Sequence, residues 1–136
     1  MFVRLAHVCL NVKNLERSVE YYTRLGFVSR FRFTRDGKPF GAYLEIGPDQ
    51  YIEMFENPAL DKPVNTGLVH FCLEATDLDT EMARLDALGI AYTPKKLGCD
   101  HTYQIWLSDP DGNAFEVHQY TEHSLQRTGG VVEADW

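Results

Sequence analysis

The stretch Leu5-Ala6-His7-Val8-Cys9-Leu10-Asn11-Val12 returns as Leu68-Val69-His70-Phe71-Cys72-Leu73-Glu74-Ala75, with Leu, His, Cys and Leu at the same places 63 residues on. Sliding the whole chain by that offset aligns nine identical pairs over residues 5–56: Leu5/Leu68, His7/His70, Cys9/Cys72, Leu10/Leu73, Leu15/Leu78, Leu25/Leu88, Gly26/Gly89, Leu44/Leu107 and Glu53/Glu116. About three would be expected between unrelated segments of ordinary composition. Whatever the first half folds into, the second half must therefore fold into as well.

The pattern within each half predicts β-α-β-β-β. Residues 3–12 alternate, with Leu5, His7, Cys9 and Asn11 on one face and Ala6, Val8, Leu10 and Val12 on the other, which is a strand with two unlike faces. Asn14 has the place of a helix N-cap. Leu15, Val19, Tyr22 and Leu25 form an amphipathic stripe, and Gly26 stands where a left-handed cap belongs. Strands are expected over 27–34, near 40–46 and over 51–56, joined by the turn signals Asp36-Gly37 and Gly47-Pro48-Asp49. Residues 57–66 read as a linker. The second half repeats the order: a strand over 67–75, Asp77 as N-cap, a helix stripe of Leu78, Met82, Leu85 and Leu88, and Gly89 as cap. Strands follow near 90–93, 102–108 and 114–120, the last two joined by Asp109-Pro110-Asp111-Gly112-Asn113. Residues 121–136 form a polar tail with little periodicity. The fold class expected is α+β, two tandem βαβββ modules related by a pseudo-two-fold repeat, whose curved mixed sheets enclose a metal cavity.

Composition narrows the function. Of 136 residues, 44% are apolar and 12% aromatic, enough for a packed core. No apolar run approaches the ~20 residues of a membrane helix. The amino terminus reads as a strand rather than a signal peptide, and the odd count of three cysteines, Cys9, Cys72 and Cys99, argues against a disulfide framework. Together these point to a cytoplasmic protein. A net charge of −7 argues against nucleic acid as a partner. The densest basic segment runs from Arg24 to Lys38. Its Arg30, Arg32 and Arg35 read as a solvated strand face, or as a cationic rim for an acidic small molecule.

Neither His nor Glu is needed to fill a core, so the His pair and the Glu pair carry more information than the repeated leucines. Glu53 lies between Ile52 and Met54, and Glu116 between Phe115 and Val117. Alternation turns both carboxylates away from the helix-packed face, as it does His7 and His70. Two imidazoles and two carboxylates suit a divalent metal with open positions. Such a metal acts as a Lewis acid toward adjacent substrate oxygens, and a neighbouring carboxylate can serve as general base.

Two motifs sharpen this: His7-x-x-Leu10-x-Val12-x-x-Leu15-x-x-Ser18-x-x-Tyr21-Tyr22 near the start, and Asp109-Pro110-Asp111-Gly112-Asn113-x-x-Glu116 near the end. In both the chain resembles the vicinal oxygen chelate (glyoxalase/bleomycin resistance/dioxygenase) superfamily, over residues 1–120. The resemblance implies one such domain, with module one over 1–56, the linker over 57–66 and module two over 67–120. It is nearest in ligand pattern to glyoxalase I, whose His (or Gln), Glu, His, Glu set carries over to His7, Glu53, His70 and Glu116. Extradiol dioxygenases of the superfamily use two His and one Glu and do not normally need a carboxylate at Glu53. Epimerases resemble the four-ligand set, often with Gln at that place, and bleomycin-sequestering members have lost the ligands.

The resemblance thus implies a lyase/isomerase acting on the hemithioacetal of a 2-oxoaldehyde. The cofactor would be one divalent ion per site, nickel, cobalt, zinc or manganese, with Glu53 or Glu116 as the base that moves a proton from C1 to C2. It also implies a homodimer, in which the metal site can be shared between chains. The alternatives are an extradiol-type dioxygenase, an epimerase, or a non-catalytic small-molecule-binding protein. Where glyoxalase I usually carries an Arg for a glutathione carboxylate, this chain has Asn11. The other glutathione-associated position is retained as Asn57, so the thiol co-substrate stays open.

Tyr51 and Phe55 flank Glu53 on the same face and are expected to wall the substrate site. His118, two residues after Glu116, either lines that site or caps its rim. Cys9 and Cys72 read first as small residues that let sheets approach, and otherwise as ligands or redox-sensitive thiols. His101 and Tyr103 read as loop or strand-start residues.

Overall fold

The computed structural model describes residues 6–60 and 70–130. These fall into two compact units, 6–60 together with Asp109–Gly112, and 70–108 together with 113–130. Residues 1–5, 61–69 and 131–136 lie outside the described residues, and with them Leu5, Leu68, most of the expected linker, the start of the second module's first strand and the end of the tail.

The first unit runs β1 (His7–Val12), α1 (Leu15–Arg24), β2 (Val28–Arg35), β3 (Lys38–Gly47) and β4 (Gln50–Glu56). Its sheet has the order β1-β4-β3-β2. β1 pairs parallel with β4, and the other two pairings are antiparallel. Asn14 caps α1 by accepting the Arg17 N–H, and Leu15, Val19, Tyr22 and Leu25 are all buried. They share a core with Leu10, Val12, Ala42, Leu44, Ile52 and Met54. The β2–β3 hairpin turns on Asp36 and Gly37, both with positive φ (52° and 73°), the conformation that a two-residue type I′ loop requires.

The second unit repeats this plan with β5 (Phe71–Glu74), α2 (Leu78–Leu88), β6 (Lys96–Leu97), β7 (Tyr103–Ser108) and β8 (Ala114–Gln119), in the order β5-β8-β7-β6. The chain is thus α+β with tandem βαβββ modules. Asp77 caps α2 by accepting from Asp79 and Thr80, and Gly89 ends it in the left-handed region. Leu78, Leu85, Ile105, Leu107, Phe115 and Val117 form the buried layer.

One expectation is corrected. No strand forms over 90–93. Thr93 does exchange two hydrogen bonds with Trp106, but Pro94 brings no N–H to a ladder, and regular pairing begins only at Lys96. The tail is structured at its start: α3 (Leu125–Thr128) follows Ser124, whose side chain bonds Thr102 and the His101 carbonyl.

Candidate metal-binding face

In the first unit, β-strand alternation leaves His7, Cys9 and Asn11 on the sheet face opposite α1, while Leu10 and Val12 are buried against it. Cys9 pairs with Glu53 across β1–β4, and Tyr43 pairs with Glu53 across β3–β4, so the three share one row. His7 Nε2 stands 3.8 Å from Glu53 Oε2. The other ring nitrogen, Nδ1, is 3.0 Å from the Tyr43 hydroxyl. If Nδ1 carries the proton and donates to that hydroxyl, the Nε2 lone pair is left toward Glu53. This is how an outer partner fixes a ligand histidine.

Aromatic side chains surround the pair. Tyr43 stacks on Phe31 and contacts Tyr51, while Phe33, Phe40 and Phe55 form a second group. Gly41 is required there, because a Cβ would lie 2.6 Å from the Phe55 ring. Tyr51 and Phe55 flank Glu53 on one face of β4. Asn11 is exposed opposite Phe55. Asn57 is exposed past the end of β4, with its backbone N–H on the Val12 carbonyl. The arginines of β2 are engaged within the unit. Arg30 pairs with Glu45, Arg32 grips Glu16 through two bonds, and Arg35 lies over Phe40.

The second unit repeats the pair more tightly. His70 Nε2 is 3.2 Å from Glu116 Oε2. Trp106 takes the position of Tyr43 and meets the His70 ring edge-on at 4.7 Å. Trp106 brings no hydroxyl to that ring, and His70 Nδ1 has no hydrogen-bond partner among the described residues. His118, buried, brings its Nε2 to 3.2 Å from the same Glu116 oxygen. Cys72 lies beside Glu116 in the β5–β8 register.

Both thiols are poor nucleophiles at neutral pH. Cys9 is pushed up to about 11 by loss of hydration and by Glu53, which accepts its hydrogen bond and repels the thiolate. Cys72 is pushed up to about 12 by loss of hydration at the thiol and then by the Glu116 charge. His101 is exposed with positive φ in the loop before β7, and no contact joins it to the His–Glu pairs.

The donor spacing can be tested against a metal. Two donors at about 2.0–2.2 Å from one cation, at octahedral to tetrahedral angles, stand roughly 3.0–3.5 Å apart. The 3.2 Å pair of the second unit meets this, and the 3.8 Å pair of the first needs a few tenths of an ångström. The residues present therefore fit a divalent cation. Sequence reasoning missed Tyr43 and Trp106. Their signal was available, since they occupy equivalent positions in the repeat, but they are not identical.

A tandem βαβββ chain with a His–Glu pair on the open face of each sheet defines a class of metal-binding and small-molecule-binding modules. The chain belongs to the Glyoxalase/Bleomycin resistance protein/Dioxygenase superfamily, whose model matches residues 4–117. It is similar to the trivalent organoarsenical cleaving enzyme of Bacillus sp. (strain MD1), at 30% identity over 91% of this chain and 77% of that enzyme. It is also similar to a lactoylglutathione lyase of Arabidopsis thaliana, at 27% identity over 85% of this chain but only 44% of that protein. Among solved structures it resembles a glyoxalase family protein from Enterococcus faecalis, with a TM-score of 0.77 and 25% identity, covering 87% of this chain and 98% of that one. No helix among the described residues is long and apolar enough to cross a membrane.

Proposed function

We propose that the chain is a metal-dependent lyase/isomerase of glyoxalase I type, acting on a small substrate with adjacent oxygens such as the hemithioacetal of a 2-oxoaldehyde. His7, Glu53, His70 and Glu116 would hold the metal, supplied by one chain or by two copies in a homodimer. The observation that carries this is the repetition of one contact, Nε2 of a histidine on β1 or immediately before β5 facing Oε2 of a glutamate on β4 or β8. A divalent ion bound there supplies Lewis acidity toward the two substrate oxygens.

The two carboxylates differ in how they are held. Glu116 Oε2 lies 3.2 Å from two imidazoles, whereas Glu53 has His7 at 3.8 Å. Glu53, which accepts a hydrogen bond from the neutral Cys9 thiol and stands farther from its histidine, is the less tightly paired carboxylate, and we assign it the proton transfer between C1 and C2. Tyr43 lies beside it across β3–β4 and Tyr51 two residues before it on the same face, offering aromatic walls to a substrate. Asn11, neutral where glyoxalase I usually has Arg, favours a thiol or metabolite without the glutathione carboxylate.

Metal analysis after reconstitution, followed by turnover assays on methylglyoxal hemithioacetals of several thiols, tests the assignment. Glu53→Gln should keep metal and lose turnover, while Glu116→Gln should lose metal. Failure to bind any divalent ion sinks the enzymatic reading. Oxygen consumption on a catechol with iron(II), and no hemithioacetal turnover, would transfer it to the dioxygenase branch.

A further inference from the structure

Among the ligand-type residues on the open face, the repeat is broken at a histidine. His118 corresponds to Phe55 at the 63-residue offset, so only the second unit carries a histidine there. Cys72 Sγ, a Glu116 carboxylate oxygen and a ring nitrogen of His118 all lie within 4.8 Å of one another. The β5–β8 ladder builds this group: Cys72 pairs with Glu116, and His118 is next but one on the same strand and face. His118 is 8% exposed, yet its Nε2 forms no hydrogen bond among the described residues, although it points at Glu116. A buried imidazole nitrogen without a directed partner is costly unless something else satisfies it.

We propose that Cys72, Glu116 and His118 form a thiolate-containing metal site built wholly within the second unit, suited to zinc or another thiophilic divalent cation. A sulfur, nitrogen and oxygen donor set favours such ions over magnesium or calcium. The Cys72 thiol donates a weak S–H bond to the Leu73 carbonyl at 3.4 Å and also meets the His118 backbone, beside the other two donors. The thiol proton leaves to solvent as the metal–sulfur bond forms. Glu116 is common to this set and to the ligand set proposed above. An ion held here draws Glu116 from His70, so thiophilic cations compete with the proposed catalytic metal.

The test is cobalt(II) titration of the full chain in a Cys9→Ser/Cys99→Ser background, followed by thiolate-to-cobalt charge-transfer absorption and reversed with zinc. The band should appear in that parent and persist after His7→Ala or Glu53→Gln. It should vanish in Cys72→Ser, and His118→Gln should weaken binding by about tenfold or more. Circular dichroism confirms that each variant is folded. Absence of the band from the parent, or its survival in Cys72→Ser, overturns the site. The two readings fail separately: hemithioacetal turnover without the band removes only this site, and the band without turnover removes only the lyase.

Discussion

In the proposed metal site the residue that would orient His7 is Tyr43, whose hydroxyl lies 3.0 Å from Nδ1. A histidine free to rotate offers its Nε2 only part of the time, and an outer hydrogen bond fixes both ring angle and tautomer. Tyr43→Phe keeps the ring that stacks on Phe31 and deletes the bond. Metal affinity, measured by competition with a chromophoric chelator, should fall by about 10–100-fold with the fold intact. Unchanged affinity would show that His7 is oriented by packing alone. His7 and Glu53 were legible from the repeat because both members of each pair are identical. Tyr43 was hidden because its counterpart is Trp106, an aromatic of similar bulk without a hydroxyl.

At the scale of elements, both long helices begin in the same way. Glu56 Oε2 accepts the Leu15 N–H at 2.8 Å, and Gln119 Oε1 accepts the Leu78 N–H at 2.7 Å. These donors and acceptors are 63 residues apart, so the last strand of each module caps that module's helix. Asn14 and Asp77 complete the caps, and the sequence named both. The strand side chains were not legible, because Glu56 and Gln119 differ and lie 41 residues from the helix start. Asn14→Ala should cost about 1 kcal/mol of stability by urea denaturation.

Asp77 adds a pH signature. Its carboxyl is held below the ordinary 3.8 chiefly by the Thr80 hydroxyl, then by the backbone N–H groups of Thr80 and Asp79. A depressed folded-state value contributes stability that is complete above 3.8 and is lost as pH falls through the folded value. Asp77→Asn should therefore separate from wild type at neutral pH and converge with it in acid. Urea midpoints that stay parallel down the acid limb would refute the linkage.

For the whole molecule, the telling segment is Asp109–Gly112, which connects β7 to β8 yet belongs to the first unit. Asp111 accepts the Lys13 N–H at 3.0 Å and the Ser18 hydroxyl at 3.3 Å through Oδ2. Tyr22, fully buried, donates its hydroxyl to Asp109 Oδ2 at 3.1 Å. Burial, with the Asp109 carboxylate beside it, pushes the Tyr22 phenol well above its usual value and keeps it a donor. The sequence showed Asp109-Pro110-Asp111-Gly112-Asn113 as a turn and Tyr22 as a core residue. That the turn supplies the acceptor for a phenol 87 residues away could not be read from local pattern.

This joining makes the first unit depend on chain that is synthesised after most of the second. Tyr22→Phe leaves Asp109, 4% exposed, short of one donor, although its Oδ1 still accepts the Asp111 N–H. The substitution should cost about 1–3 kcal/mol, the range for a buried acceptor that loses its partner. Asp109→Asn should cost less in the Tyr22→Phe background than in wild type, because the shared bond is already gone. Urea unfolding followed by circular dichroism measures both. Strictly additive losses would mean that Tyr22 and Asp109 are not energetically coupled, leaving the turn's hold on the first unit to the Asp111 bonds with Lys13 and Ser18.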